Sequence, residues 1–136
     1  MKTKLDGQVA IVTGGSRGIG QSIAQLLTQR GAQVINWDRD LPLDDETSAN
    51  RPAHTEIVDV SSCGSVETAF QAAEKQFGQI HILINNAAIR RQQAIKTMSL
   101  ADWRAVTAVI LDAAFLCARA SLPHMVAAGG GAIVNI

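Results

Sequence analysis

The sequence contains no tyrosine, and its two tryptophans and three phenylalanines bring the aromatic share to only 4%. The chain therefore holds no phenol that could exchange a proton with a substrate oxygen. Cysteine is almost as scarce: Cys63 and Cys117 have no Cys or His neighbours at metal-ligand spacing. That excludes a disulfide framework and a thiolate metal centre, and leaves two free thiols. Neither sign of charge dominates, with 12 Lys and Arg against 12 Asp and Glu and a sequence pI of about 6.8. Nothing in that balance marks a nucleic-acid partner. Uninterrupted apolar runs fall short of the ~20 residues a membrane helix requires, and the opening MKTKLDGQ lacks the apolar stretch of a signal peptide. These absences lead us to expect a soluble cytoplasmic protein without membrane partners.

What is present fits one globular domain spanning residues 1–136, with 47% hydrophobic residues. A chain of this length buries roughly 65 to 70% of the surface it exposes when unfolded, enough for a single core. Short Val- and Ile-rich runs alternate with helix-period segments, the pattern of βαβ units around a parallel sheet. Strands are expected at VAIVT (9–13), QVINW (33–37), TEIVDV (55–60), IHILIN (80–85) and AIVNI (132–136). Helices are expected from Gly18 to Arg30, from Ser65 to Phe77, and from Ser99 to about Met125, where Pro123 should kink or end the last one. Asp102 stands three residues after Ser99, in a capping-box-like relation to it. The segment from Arg39 to His54 contains two prolines and no period, and reads as a loop.

Three short stretches carry chemical information. TGGSRGIG follows the first strand and opens the first helix, so Gly14, Gly18 and Gly20 fall where the chain must turn tightly and approach a ligand. A helix N-terminus at that point offers unpaired N–H groups and positive dipole charge, an environment for a pyrophosphate. Asp38 closes the second strand 18 residues after Gly20, near the spacing of the acid that bonds an adenosine ribose, and so points to NAD. Arg17 and Arg39 point the other way, because both are placed to pair with the additional phosphate of NADP. We favour NAD, since a carboxylate ~4 Å from a phosphate costs about 1 to 4 kcal/mol while flexible arginines turn to solvent.

In these stretches the chain resembles the short-chain dehydrogenase/reductase family over its whole length. TGGSRGIG is similar to the family's TGxxxGxG cofactor turn, Asp59 and Val60 to its adenine-holding pair, and the NNAA of residues 85–88 to its NNAG motif, with Ala88 in place of the glycine. The resemblance implies a Rossmann-type doubly wound α/β fold with about five strands in the order 3-2-1-4-5, incomplete at its C-terminal edge. It implies cofactor contacts at Gly14, Ser16, Arg17, Gly18, Ile19, Gly20, Asp38, Asp59, Val60, Asn86, Ala87 and Ala88. The activity implied is hydride transfer between NAD or NADP and a carbonyl or secondary alcohol.

Two departures bear on that activity. The family's asparagine seven positions after the helix tryptophan is replaced by Ile110, which we read as helix core; Asp112 faces elsewhere and is no substitute. The family's catalytic serine and YxxxK pair have no counterpart in a sequence that reaches only Ile136 and lacks tyrosine. His54, in the loop, His81, at a strand start, and His124, near a helix end, read as structural. We therefore assign no catalytic or metal-binding residue and expect the cofactor-binding part of an oxidoreductase, inactive alone. A non-catalytic nucleotide-binding module and a purely structural relative stand as alternatives. Trp103, Val106, Val109, Ala113 and Leu116 on the long helix are the expected face of a homo-oligomer, and the last strand is expected to leave a bare, aggregation-prone sheet edge.

Overall fold

Strand β1 (Val9–Thr13) is buried along its whole length and forms the axis of the molecule. Such a strand must be covered on both faces, which is why it reads as an almost continuous apolar run. In a computed structural model that describes residues 4–40 and 54–136, β1 lies at the centre of a five-stranded parallel sheet. The other strands are β2 (Gln33–Asp38), β3 (His54–Ile57), β4 (Ile82–Asn85) and β5 (Ala132–Asn135), in the order β3-β2-β1-β4-β5. The expected order is thus observed. Most of the expected loop, residues 41–53, lies outside the described residues.

Alternation along β1 divides the core in two. Ala10 and Val12 join Val34, Ile82 and Ile84 beneath helix α1 (Gly18–Gln29), which contributes Ala24. Val9 and Ile11 face the opposite side with Ile35, Trp37 and Leu83, against helix α2 (Cys63–Phe77) and helix α4 (Ala113–Ala127). The second layer holds the aromatic packing: Trp37 meets Phe70 edge to face at 4.8 Å, and His124 stacks on Phe70 at 5.9 Å. Burying side chains of this size contributes roughly 1.5 to 3 kcal/mol each.

Several element boundaries differ from expectation for local reasons. Strand β3 ends at Ile57 rather than Val60, because the Asp59 carboxylate accepts hydrogen bonds from the Ser61 N–H (3.0 Å) and hydroxyl (2.6 Å), bending the chain toward α2. Helix α2 starts two residues early, at Cys63, because Ser62 caps it by accepting from the Ser65 N–H. His54 opens β3 instead of lying in a loop, and its ring contacts Glu56 at 2.8 Å. Strand β4 begins at Ile82; just before it the His81 imidazole Nδ1 accepts the Val9 N–H at 3.1 Å, beside the backbone bond from the His81 N–H to the Val9 carbonyl at 2.9 Å.

The long helix holds the largest corrections. Helix α3 (Leu100–Thr107) begins at Ser99, whose hydroxyl accepts from the Asp102 N–H and donates to the Asp102 carboxylate at 2.7 Å. That bond, with help from Gln93 and Arg91 and against a smaller desolvation effect, holds the Asp102 carboxyl below the usual carboxylate range. A π turn (Ala108–Asp112) then leads into α4, and Pro123 neither ends nor breaks the helix, which continues to Ala127. Pro123 is exposed, so the hydrogen bond it forfeits is given up on the solvent side while Ser121 and Met125 stay buried on the inner face.

The expected oligomer stripe is largely the core stripe: Ala113 is buried, and Val109 and Leu116 pack against the sheet-side cluster. Of that stripe Trp103 is exposed, and the other exposed apolar residues of the rod are Leu100, Ile110, Leu111, Phe115, Leu122 and Val126. Ile110, expected in the core, is 46% exposed because the widened π turn rotates it outward. By length and mean hydropathy (1.7 over its most apolar stretch) the 28-residue rod Leu100–Ala127 is long enough to cross a membrane. Its inner face is instead committed to α2 and the sheet.

Burial separates the two thiols. Cys117 is fully buried on α4, and desolvation pushes its pKa up to about 12, whereas Cys63 is exposed at the start of α2. In the folded 136-residue chain a thiol reagent at pH 8 is expected to modify Cys63 promptly and Cys117 only after denaturation. Equal labelling rates under native conditions, followed by mass spectrometry of peptides, would show that α4 does not pack as described.

Candidate cofactor-binding site

The carboxyl ends of β1, β2 and β4 open on one side of the sheet, where the connections leave β1 toward one helix layer and β4 toward the other. Such a switch point leaves a crevice between divergent connections. Here it is a cavity of about 290 Å³ whose wall includes Gly14, Arg17, Trp37, Asp38, Asp59, Val60, Asn86, Ala87, Ala88 and Val109. Eight of the twelve residues expected at the site therefore meet on one wall.

The turn itself is built from the end of β1. Thr13 is buried, and its hydroxyl accepts from the N–H groups of Asn86 (3.0 Å) and Ala87 (2.9 Å) while lying 3.4 Å from the Ile84 carbonyl, to which it donates. Asn86 returns the connection: its Nδ2 donates to the carbonyls of Thr13 and Gly14, both at 3.1 Å. Both amide protons of Asn86 are thereby spent on holding the turn.

Glycine is needed at Gly14 and Gly18 because their φ values are +67° and +58°, in the left-handed region. A Cβ at Gly18 would meet nothing within 4 Å, so the space above the turn is open to a ligand. At Gly20 the requirement is steric: a Cβ would run into the Gly14 carbonyl oxygen and Asn86 Nδ2. This glycine lets the first turn of α1 lie directly against the loop.

The start of α1 has no acidic residue in its first turn and no side-chain cap, whereas Ser62 caps α2 and Ser99 caps α3. Its first N–H groups and the positive end of its dipole are thus left for an external acceptor. Beside them stands Asp38, whose carboxylate accepts from the Ser16 N–H at 3.2 Å and from its neighbour Arg39 N–H at 2.9 Å. The Arg39 side chain turns toward Asp40, 3.8 Å away, while Arg17 is exposed at the rim.

The remaining expected residues are distributed by layer. Ser16 is half-buried behind Asp38, Gly20 is buried beneath the turn, and Gly18 and Ile19 face outward, with Ile19 65% exposed. Asp59 stands at the rim, already engaged with Ser61, and Val60 is buried beneath it. Asn85 lies outside the cavity wall and bonds Asn135 across the β4–β5 ladder at 2.8 Å. None of the three histidines reaches the cavity: His81 ties β4 to β1, His54 contacts Phe77, and His124 lies 3.8 Å from Glu74.

Three structural contributors were not singled out in the sequence. Thr13 was legible as the first residue of the glycine motif, but its double-acceptor role depends on β4 lying alongside β1. Trp37 read only as a strand residue, yet it is fully buried and forms part of the cavity wall. Asn36 is a buried polar residue on an otherwise apolar strand, a signal the alternation of β2 does contain.

The family model described as short chain dehydrogenase matches residues 8–136. D-threitol dehydrogenase of Mycolicibacterium smegmatis is 38% identical, with 98% of this chain aligned to 53% of that protein. Cis-4-hydroxycyclohexanecarboxylate dehydrogenase of Sinomonas cyclohexanicum is 39% identical, with 95% of this chain aligned to 54% of that protein. Among solved structures, a metagenomic short-chain oxidoreductase in complex with NADP superposes with a TM-score of 0.86 at 36% identity, covering 96% of this chain and 62% of that one. A short-chain alcohol dehydrogenase of Sinorhizobium meliloti, described as putative, gives 0.87 at 38% identity, covering 96% and 54%. The chain spans about half the length of the curated relatives it matches. On sequence, strand order and the geometry of the glycine turn together, it belongs to the short-chain dehydrogenase family.

Proposed function

We propose that these 136 residues bind a nicotinamide dinucleotide and form the cofactor half of an oxidoreductase acting on a carbonyl or secondary alcohol. The observation that carries the reading is the uncapped N-terminus of α1 set over an open glycine turn, with Asp38 bonded to that turn through Ser16. The donor set fits the cofactor's chemistry: backbone N–H groups and a helix dipole for pyrophosphate, a carboxylate for ribose hydroxyls, and an apolar wall with Val60 and Ala88 for a heterocycle. Bound there, the nicotinamide would supply or accept the hydride. The proton that accompanies it needs an acid or base beside the reacting oxygen, and these residues contain no tyrosine and no histidine in the cavity. These 136 residues by themselves are therefore expected to bind the dinucleotide without turnover.

The balance of contacts favours NAD over NADP, although one solved relative holds NADP. Asp38 occupies the amide of Ser16 and presents negative charge where an additional phosphate would approach, while Arg39 is drawn to Asp40. Asp38→Ala should therefore weaken NADH by about tenfold, through loss of a charged acceptor, and NADPH by much less, since a repulsive charge leaves with it. Titration of both cofactors by energy transfer from tryptophan to the reduced nicotinamide tests this, because Trp37 forms part of the cavity wall. Equal losses for the two cofactors would remove the basis for the preference, and no saturable NADH binding by the parent would remove the dinucleotide reading itself.

For the long helix we propose self-association through its outer face. Leu111, Phe115 and Leu122 are 67%, 60% and 51% exposed, more apolar surface than scattered residues usually present. Replacing Leu111 and Phe115 together by glutamate should shift the particle toward monomer in light scattering, with NADH affinity changed by less than about twofold. An unchanged mass would move the interface elsewhere.

A further inference from the structure

Asn36 is 1% exposed and lies on the α1 side of β2, opposite Val12 of β1. Its Nδ2 donates to the Ser16 hydroxyl at 3.1 Å, while its Oδ1 has no hydrogen-bond partner among the described residues. An orphaned buried acceptor lowers stability, so a contribution to folding alone does not account for an amide at this point of an apolar strand. The geometry above it does. A Cβ on Gly15 would run into Asn36 Oδ1 and lie 2.8 Å from its Cγ, which places a Gly15 hydrogen directly over the amide oxygen. That contact is a weak Cα–H···O approach. Unlike Gly14 and Gly18, Gly15 has no positive φ, so no left-handed backbone requires a glycine there. Asn36 is the main obstacle to a side chain there, with Val12 Cγ1 next at 3.2 Å.

The bond to Ser16 has a directional consequence. A hydroxyl that accepts from Asn36 cannot also point its own proton at Nδ2, so that proton is turned away from the strand. No acceptor for it is found among the described residues, and Ser16 is only half-buried, between Asp38 and the start of α1.

We propose that Asn36 is a positioning residue of the cofactor turn, seating Gly15 and turning the Ser16 hydroxyl outward as a donor to the bound dinucleotide. This deepens the dinucleotide reading and rests on it. It makes Gly15 a glycine because of its partner on β2, not because of its backbone. It also separates affinity from stability: removing the amide removes an orphaned oxygen but releases the donor.

The test uses the full-length protein, NADH titrations, and melting curves without ligand. Asn36→Val and Ser16→Ala should each weaken NADH about tenfold, and the double variant should be no weaker than either single one within about twofold, because both interrupt the same donor. The Asn36→Val melting temperature should be at or above that of the parent. In addition, Gly15→Ala should weaken NADH by more than tenfold in the parent, and the same change in an Asn36→Ala background should cost less than about twofold. The second pair decides the matter should Asn36→Val fail to fold. Unchanged NADH affinity in Asn36→Val, additive losses in the double variant, or an equally harmful Gly15→Ala with and without Asn36 would each overturn the assignment. A parent that does not bind NADH overturns it together with the dinucleotide reading, whereas a parent that binds while these couplings fail overturns the assignment alone.

Discussion

The hydroxyl of Thr13 is the join on which the site depends. It stands at the end of the central strand, where β1 gives way to the glycine turn and β4 gives way to the NNAA segment, and it fixes two successive N–H groups of that segment. Asn86 closes the loop in the opposite direction through the carbonyls of Thr13 and Gly14. Both chains leave the sheet here, so without these bonds their backbone groups would be buried and unpaired, at a cost of about 1 to 3 kcal/mol each. The join also fixes how far apart the two walls of the cavity stand. Gly20 then determines how closely α1 can approach, since its missing side chain is what admits the Gly14 carbonyl and the Asn86 amide.

With the walls fixed, the electrostatics follow from what is left unpaired. Every described helix start except that of α1 and the π turn with its continuation is capped by a serine, and α1 is the one that points at the cavity. Positive dipole and free N–H groups therefore collect at the turn, and the nearest fixed negative charge, Asp38, is placed to the side by its bond to Ser16. An anion and a neutral diol are thus offered neighbouring but distinct environments. Arg39 and Asp40 both line the cavity as an exposed pair 3.8 Å apart, so the positive charge there has a carboxylate beside it.

The sequence made the sheet order and most of the site legible because both rest on local rules: apolar runs for buried strands, glycine where φ is positive, an acid at a strand end. It was less informative where one residue's role is set by another far along the chain. Helix periodicity correctly marked Val109, Ala113 and Leu116 as one stripe, but whether a stripe faces the core or a partner is decided by the sheet, and here the sheet takes it. The π turn then adds a residue's worth of rotation that no 3.6-residue pattern contains, which turns Ile110 outward. Pro123 read as a kink or a stop because its ring forfeits a backbone bond, yet the helix runs on to Ala127 with Ser121 and Met125 buried on the other face and the loss taken in solvent. Cross-strand roles, such as Val9 giving its N–H to the His81 ring, are invisible until register is known.

Register also explains why the glycine turn is held from two sides. Its neighbours are β4, which reaches it through Asn86, and β2, which reaches it through Asn36 and Asp38. A loop of small residues is entropically expensive to order, and a site that orders only on binding loses that free energy from its affinity. Here the ordering is completed during folding, by side chains from the two strands flanking β1, and the turn already leaves the first N–H groups of α1 uncapped. The same arrangement explains why polar residues sit at the carboxyl ends of these central strands while their middles are apolar. Each strand contributes hydrophobic burial along its length and one or two hydrogen-bonding groups at its end, so the stability of the sheet and the shape of the site come from different residues of the same strands.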